Sequence, residues 1–335
     1  MPRFTFTRNY KLFVLSNIFS FILGSMLTVS LLNLDSCSKC NNWHNLNKSD
    51  SVLTRVNQNS YAHSLLIIII ISEPSNFKRR QVIRETWLEL SNKKFEYKHF
   101  FVVGVLGVNK EIKNLVLHEQ STYGDMLVLS SLVDVYSMLT RKVLETFLWL
   151  HQNVSFRYVL KCDDDSFVRV DDIIVDLKKN SNDRLYWGFF NGRARVQRSG
   201  KWKETNWILC DYYLPYALGG GYVLSSSLVQ YVAENAKNLS LYISEDVSMG
   251  AWLGSVEGVQ RVHDPRFDTE ATSRGCSNSY LVTHKHSSAD MQQMAATLQS
   301  TGRLCTVEYR TRNSYIYNWS LPPSRCCSRT GTSVP

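Results

Sequence analysis

This 335-residue sequence has no Walker A stretch, and no G-x-G-x-x-G fingerprint follows its first predicted strand. P-loop and dinucleotide-binding folds hold phosphate on such glycine-rich backbone, so both are disfavoured. Any phosphate must instead be held by a metal and by basic side chains. No Ser-His or Cys-His arrangement marks a protein nucleophile. Only Cys37-x-x-Cys40 has zinc-ligand spacing, and no second pair answers it, so a zinc site is poorly supported. No internal repeat or low-complexity tract interrupts the chain.

A further absence is local. From Leu12 to Leu34 there is no charged residue, and this stretch spans roughly 34 Å as a helix, enough to cross a bilayer. Arg3, Arg8 and Lys11 precede it and Asp35 follows, so the positive-inside rule leaves the N-terminus in the cytoplasm. A cleaved signal peptide is the competing reading, but its apolar core is normally shorter and ends in a small-residue cleavage site. The expected organisation is a cytoplasmic tail at 1–11, a type II signal-anchor at 12–34, a polar stem at 35–60 and a lumenal domain at 61–335.

Sequons at Asn47, Asn153, Asn238 and Asn318 agree with a lumenal location. So do eight cysteines, an even set that an oxidising compartment can pair, although their connectivity is open. The formal net charge of +9 suits an acidic small molecule or acidic glycan. Nucleic acid is not expected as a partner on that side of a membrane.

The lumenal part is long enough for one large α/β domain. Leu65–Ile71 is a continuous aliphatic run, as in a strand buried on both faces. A basic helical stretch, Lys78–Trp87, a second strand, His99–Val105, and a helix near Ser137–His151 follow. The segment Phe156–Cys162 then reads as another strand, and it ends in Asp163, Asp164 and Asp165. Alternating strands and helices predict a mostly parallel sheet, with ligands beyond the carboxyl ends of its strands. Three carboxylates crowded at such an end repel one another unless a cation sits among them, and a hard divalent ion is the usual answer. Asp163-x-Asp165 reaches one metal, which can hold the diphosphate of an activated substrate. Arg79, Arg80 and Arg84 follow the first strand and are expected to face a nucleotide, or else to form a solvated helix face.

A second constellation lies further on. Gly219, Gly220 and Gly221 allow close approach of backbone to a sugar. Trp202, Trp207, Tyr212, Tyr213 and Tyr216 offer faces for stacking on pyranose rings, or pack as core. Glu245 and Asp246 precede a predicted helix, where a carboxylate in an apolar cleft makes a general base for a sugar hydroxyl; capping by Ser244 or Asp246 is the plain alternative.

The segments Arg80-Gln-Val-Ile-Arg84-Glu-Thr-Trp87, Lys161-Cys-Asp-Asp-Asp-Ser-Phe-Val168, Gly219–Gly221 and Glu245-Asp246-Val247 resemble the β-1,3-glycosyltransferases of family 31. The stretches DYYLPYALGGGYVLS, SEDVSMGAWL, HDPRFDTE, SRGCSNSYLVTHK and YNWSLPPSRCC are similar to a galactosyltransferase branch that builds the proteoglycan linkage region. The resemblance covers most of residues 65–327. It implies a GT-A type nucleotide-sugar transferase of class α/β, anchored in the Golgi membrane, with UDP-galactose as donor and Mn²⁺ as cofactor. The acceptor it implies is the galactose of Gal-β1,4-Xyl on a serine of a core protein. Related alternatives are a β-1,3-N-acetylglucosaminyltransferase or a silent binder or chaperone of the same fold.

Carried over by motif, Asp163, Asp165 and His284 are the metal residues and Asp246 is the catalytic base, with Glu245 its neighbour. Arg80, Arg84, Asp164, Gly220 and Gly221 fall in donor-binding motifs, and Tyr213, Tyr216 and Trp207 on the acceptor side. Cys162 is a small departure, since small or hydroxylated residues also stand there in the family. The basic segment Arg193–Lys203, bracketed by Gly192 and Gly200, is either a solvated hairpin or a cationic lip for an acidic acceptor through Arg193, Arg195 and Arg198.

Overall fold

The computed structural model describes residues 63–92 and 97–329, all within one compact unit spanning Ser51–Pro335. The expected tail, membrane span and stem, with Cys37, Cys40 and Asn47, lie outside the described residues.

The aliphatic run forms β1 (Ser64–Ile71), whose residues Leu66–Ile70 are fully buried. Helices α1 (Phe77–Glu85) and α2 (Trp87–Leu90) follow, then β2 (Tyr97–Gly104), α3 (Lys110–Tyr123) and β3 (Met126–Leu129). The sequence reading passed over α3 and β3. The signals for α3 are present at both ends: Asn109 caps its start by accepting from the Ile112 amide, and Gly124 ends it with φ +68°.

A 3₁₀ turn, Tyr136–Met138, leads into α4 (Leu139–Asn153), which buries Val143, Phe147 and Leu150 as its 3.6-residue period requires. Next come β4 (Phe156–Asp163), β5 (Phe167–Val168), α5 (Val170–Lys179), β6 (Leu185–Asn191), β7 (Tyr216–Ser225), α6 (Ser226–Glu234) and α7 (Glu245–Trp252). The remainder comprises β8 (Gln260–His263), β9 (Phe267–Asp268), β10 (Gly275–Cys276), β11 (Val282–Thr283), α8 (Ser288–Thr301) and β12 (Tyr309–Arg310).

The main sheet has the order β3-β2-β1-β4-β7-β6-β8. Strands β3, β2, β1 and β4 are mutually parallel, as expected, but β7 runs antiparallel to both β4 and β6, so the sheet is mixed. Ile71 is in register with Asp163. The aspartates therefore leave the sheet beside the carboxyl end of β1, where open α/β sheets bind ligands.

Gly219–Gly221 lie inside β7, and Gly221 pairs with Cys162 of β4. Their small size serves close packing from above: a Cβ on Gly220 would sit 2.7 Å from the His284 ring, and one on Gly221 2.8 Å from Val282. Val282 belongs to, and His284 directly follows, strand β11 of a second, three-stranded sheet of order β5-β11-β9 that covers this end of β7.

Disulfides join Cys276 to Cys305 and Cys326 to Cys327, while Cys162 is a buried free thiol and Cys210 an exposed one. Asn153, Asn238 and Asn318 are all exposed.

Candidate active site

A cleft of about 640 Å³ opens where β1 and β4 end and β7 begins, and Asp163, Asp164, Asp165, Glu245, Asp246, Gly219, Gly220 and His284 all line it. One ligand atom from each of Asp163, Asp165 and His284 lies within 4.8 Å of the others. These three residues are 121 positions apart at the extremes, and only the folding of β11 onto β7 unites them.

The triad's protonation suits a divalent cation. Ser166 Oγ is fully buried and donates its proton to the Gly220 carbonyl at 2.7 Å. It therefore accepts from His284 Nδ1, 3.1 Å away, which leaves Nε2 with a free lone pair. Nε2 is the ring atom on the Asp163 side, 4.0 Å from Oδ2. Asp165 Oδ1 is buried 2.9 Å from Nδ1 but is not aligned to accept its proton, and it makes no hydrogen bond at all. An imidazole lone pair at Nε2 on the Asp163 side, with Asp165 in the same cluster, fits a cation with mixed oxygen and nitrogen ligands.

Asp164 points elsewhere. Its Oδ2 accepts from Ser72 Oγ at 2.7 Å and Asn76 Nδ2 at 3.0 Å, and Arg79 stands 3.8 Å from Oδ1. Burial pushes this carboxyl up despite those partners. It forms a polar wall of the cleft at the end of β1.

Opposite the triad, Asp246 sits in the first turn of α7. Its Oδ2 accepts from the Gly219 amide at 2.9 Å and its Oδ1 from the Val247 amide at 2.9 Å. Burial, reinforced by the adjacent Glu245, raises its pKa to about 6. That is a carboxylate poised to take a proton near neutrality. Ser244 stands at the N-cap position, yet its side chain makes no capping bond.

Lys161 was not singled out in the sequence, and it connects the two halves of the site. Its fully buried ammonium lies 2.7 Å from Asp163 Oδ1, 2.6 Å from the Gly219 carbonyl and 3.2 Å from Glu245 Oε2. The first two accept hydrogen bonds from it, and Glu245 completes an ion pair. The signal was available, because residues 161 and 163 of one strand face the same side. Glu245 also accepts from Tyr222 Oη. It is buried between Lys161 and Tyr222, beside Asp246.

Several expected site residues stand elsewhere. Arg80 does not line the cleft and has no exposed surface; its guanidinium binds Glu119 at 2.7 Å, Ser72 Oγ at 3.0 Å and the Glu73 and Pro74 carbonyls. Arg84 is engaged by Asp125 and Glu119 and lies over the rings of Phe101 and Tyr123. The expectation that this helix presents both arginines to a nucleotide is thus corrected, because Glu119 and Asp125 consume them. Gly221 likewise faces Val282 instead of the cleft.

Among the aromatics, Tyr213 and Tyr216 line the cleft, but Trp207 does not. It is packed beneath them against Tyr213 and Tyr242, with Nε1 donating to the Cys210 carbonyl. Trp202, half exposed, lines the cleft instead. From the basic segment, Lys201 and Gln197 reach the cleft; Arg193, Arg195 and Arg198 do not. Arg198 is tied to the Glu204 and Trp207 carbonyls, and Arg195 lies over the Tyr212 ring. Their cationic lip is therefore partly built into the loop.

The family model described as Galactosyltransferase matches residues 78–265, which include the aspartates, the glycine strand and α7. Beta-1,3-galactosyltransferase 6 of Mus musculus is 50% identical over 273 residues, covering 80% of this chain and 84% of that protein. UDP-GalNAc:beta-1,3-N-acetylgalactosaminyltransferase 2 of Xenopus laevis is 31% identical over 60% of this chain, which spans 40% of that relative's length. Among solved structures, the mannosyltransferase PcManGT from Pyrobaculum calidifontis matches with a TM-score of 0.38 and 9% identity, over 61% of this chain and 55% of that one.

Proposed function

The chain belongs to the galactosyltransferase family, and from that premise we propose that it transfers galactose from UDP-galactose, with inversion, to the 3-hydroxyl of a β-linked galactose. The acceptor in this reading is the Gal-β1,4-Xyl disaccharide on a proteoglycan core protein. The domain is of GT-A type, carried into the Golgi lumen by the 12–34 signal-anchor and its stem.

The observation that carries this reading is the opposition of two groups across two adjacent glycines. Asp246 is held on the Gly219 amide, and the His284 ring packs on Gly220. A base and a diphosphate anchor thus stand close together in one cleft, as an in-line displacement demands. Asp163, Asp165 and His284 would hold Mn²⁺, which when bound supplies neutralisation of the charge on the departing diphosphate.

Asp246 takes the acceptor's 3-hydroxyl proton as that oxygen bonds to the anomeric carbon. The bond from that carbon to the diphosphate oxygen breaks at the same time, and its electron pair leaves with UDP. Lys161 bridges Asp163 and Glu245 and so ties the metal side of the cleft to the side that carries the base. Tyr213 and Tyr216 line the same cleft as Asp246 and form the acceptor side in this reading. A chaperone of this fold has no need of a base with a raised pKa, so the catalytic reading is preferred to a silent one.

Incubating the purified full-length protein with UDP-galactose, UDP-N-acetylglucosamine or UDP-N-acetylgalactosamine and a Gal-β1,4-Xyl acceptor tests the proposal. A β1,3-linked galactose product, dependent on Mn²⁺, is expected. Preference for either amino sugar would overturn the donor assignment, and no product with any donor would overturn the acceptor.

A further inference from the structure

We infer that Thr269 and Arg312 form a subsite that reads ring hydroxyls of the sugar being transferred, one strand beyond His284; this rests on the donor reading above. The three-stranded sheet supplies the placement. Thr283 of β11 is in register with Phe167 of antiparallel β5 and with Asp268 of parallel β9. The start of β5 and the ends of β11 and β9 therefore stand side by side on one edge. Along that edge the order is Asp165-Ser166, then His284, then Thr269. The His284 amide donates to the Asp268 carbonyl at 3.1 Å, which ties the last two together. Adjacent strands are about 4.8 Å apart, so the backbones of Thr269 and His284 leave the sheet about one strand spacing from each other.

Thr269 lines the cleft although only 3% of its surface is exposed, and its Oγ1 has no hydrogen-bond partner. Arg312, on the same wall, has a buried Nε that is also without a partner. This arginine is not adrift: its Nη2 binds Glu270 at 3.2 Å and the Thr272 carbonyl, and Glu270 is itself clamped by Arg274 and Arg329. The guanidinium is anchored at its tip and left open at its inner N–H. Native proteins rarely leave buried polar atoms unpaired unless a ligand or water completes them. A fixed donor and a hydroxyl that both donates and accepts, lining one cleft, match the hydroxyls of a sugar ring, which accept from the first and exchange bonds with the second.

The side of the triad identifies which part of the donor is met here. Ser72, Asn76 and Asp164 form the polar wall at the end of β1, away from β9, and suit the nucleoside. A diphosphate bound between the two walls directs its sugar towards Thr269.

Calorimetry on the full-length protein with Mn²⁺ present, using UDP and UDP-galactose as separate titrants, tests this. Thr269→Val removes the hydroxyl at constant shape, and about 3- to 10-fold weaker UDP-galactose binding is expected, with UDP binding unchanged. Thr269→Ser should restore it. Arg312→Lys, which can still pair with Glu270 but lacks Nε–H, should show the same selective loss and serves if the valine variant does not fold. Equal losses for both titrants, or unchanged UDP-galactose affinity with a raised KM for the acceptor alone, would overturn the subsite. A wild-type protein that gains nothing from the galactose of UDP-galactose would instead refute the donor reading, and the subsite with it.

Discussion

Ser166 Oγ lies 3.1 Å from His284 Nδ1 and, having given its proton to the Gly220 carbonyl, can only accept there. The imidazole is thereby held with Nδ1 protonated and Nε2 bare. Ser166→Ala removes this orientation without touching a ligand atom. We expect metal affinity to fall roughly 10- to 100-fold, the usual cost of losing such a partner. Mn²⁺ titration of UDP binding measures it, and an unchanged midpoint would refute the assigned tautomer.

The two glycines between base and triad should fail differently. Gly220→Ala places a Cβ 2.7 Å from the His284 ring and should weaken Mn²⁺-dependent UDP binding. Gly219→Ala brings its Cβ within 3.3 Å of Asp246 Oδ2 and should lower turnover with metal binding preserved. Identical defects in both variants would mean that the strand, not the two contacts, is what matters.

Asp246 acts as a base only when ionised, and its pKa stands at about 6. The kcat/KM profile should therefore rise with pH through about 6. Asp246→Asn should abolish that limb and cost about 10²- to 10⁴-fold in rate while UDP binding survives. Stability should move oppositely. A carboxyl whose pKa is raised from 3.8 on folding favours the native state below pH 3.8, and that contribution is lost as pH rises through about 6. The Asn variant should thus gain in Tm relative to wild type between pH 4 and 7, read by thermal melts at both ends.

Glu245 raises the pKa of Asp246 and Lys161 lowers it. Glu245→Gln should therefore shift the acid limb of kcat/KM to lower pH, and Lys161→Met should shift it higher. Shifts of the same sign would mean that both changes act through misfolding.

Arg80 tests structure against binding. Deleting one partner of a buried ion pair costs about 3–5 kcal/mol, so Arg80→Met should be strongly destabilised in denaturant titrations. The fraction that remains folded should bind UDP normally. A stable variant that has lost UDP affinity would return Arg80 to the donor site.

The core strands were legible because a run such as Leu66–Ile70 can only be satisfied by burial on both faces. The aspartates were legible because like charges at a strand end demand a cation. Arg80 and Arg84 were misread because their partners, Glu119 and Asp125, lie some 40 positions away in and after α3, an element the sequence reading did not contain. Trp207 was misread because stacking surface and core packing use the same residue type.

By itself, the sequence determined the chemistry present: three carboxylates after a buried strand, a carboxylate pair at the start of a helix, and a histidine recognisable from its motif. Local pattern suffices for these, since period and neighbouring charge are properties of adjacent residues. Only the tertiary structure decided their relations. Antiparallel β7 brought Gly219 to Asp246 and Gly220 to His284, and Ser166 set the tautomer. Glu119 and Asp125 withdrew the two arginines from the cleft. Those outcomes depend on distances between segments up to 118 residues apart, and such distances exist only once the β5-β11-β9 sheet has closed over the main one.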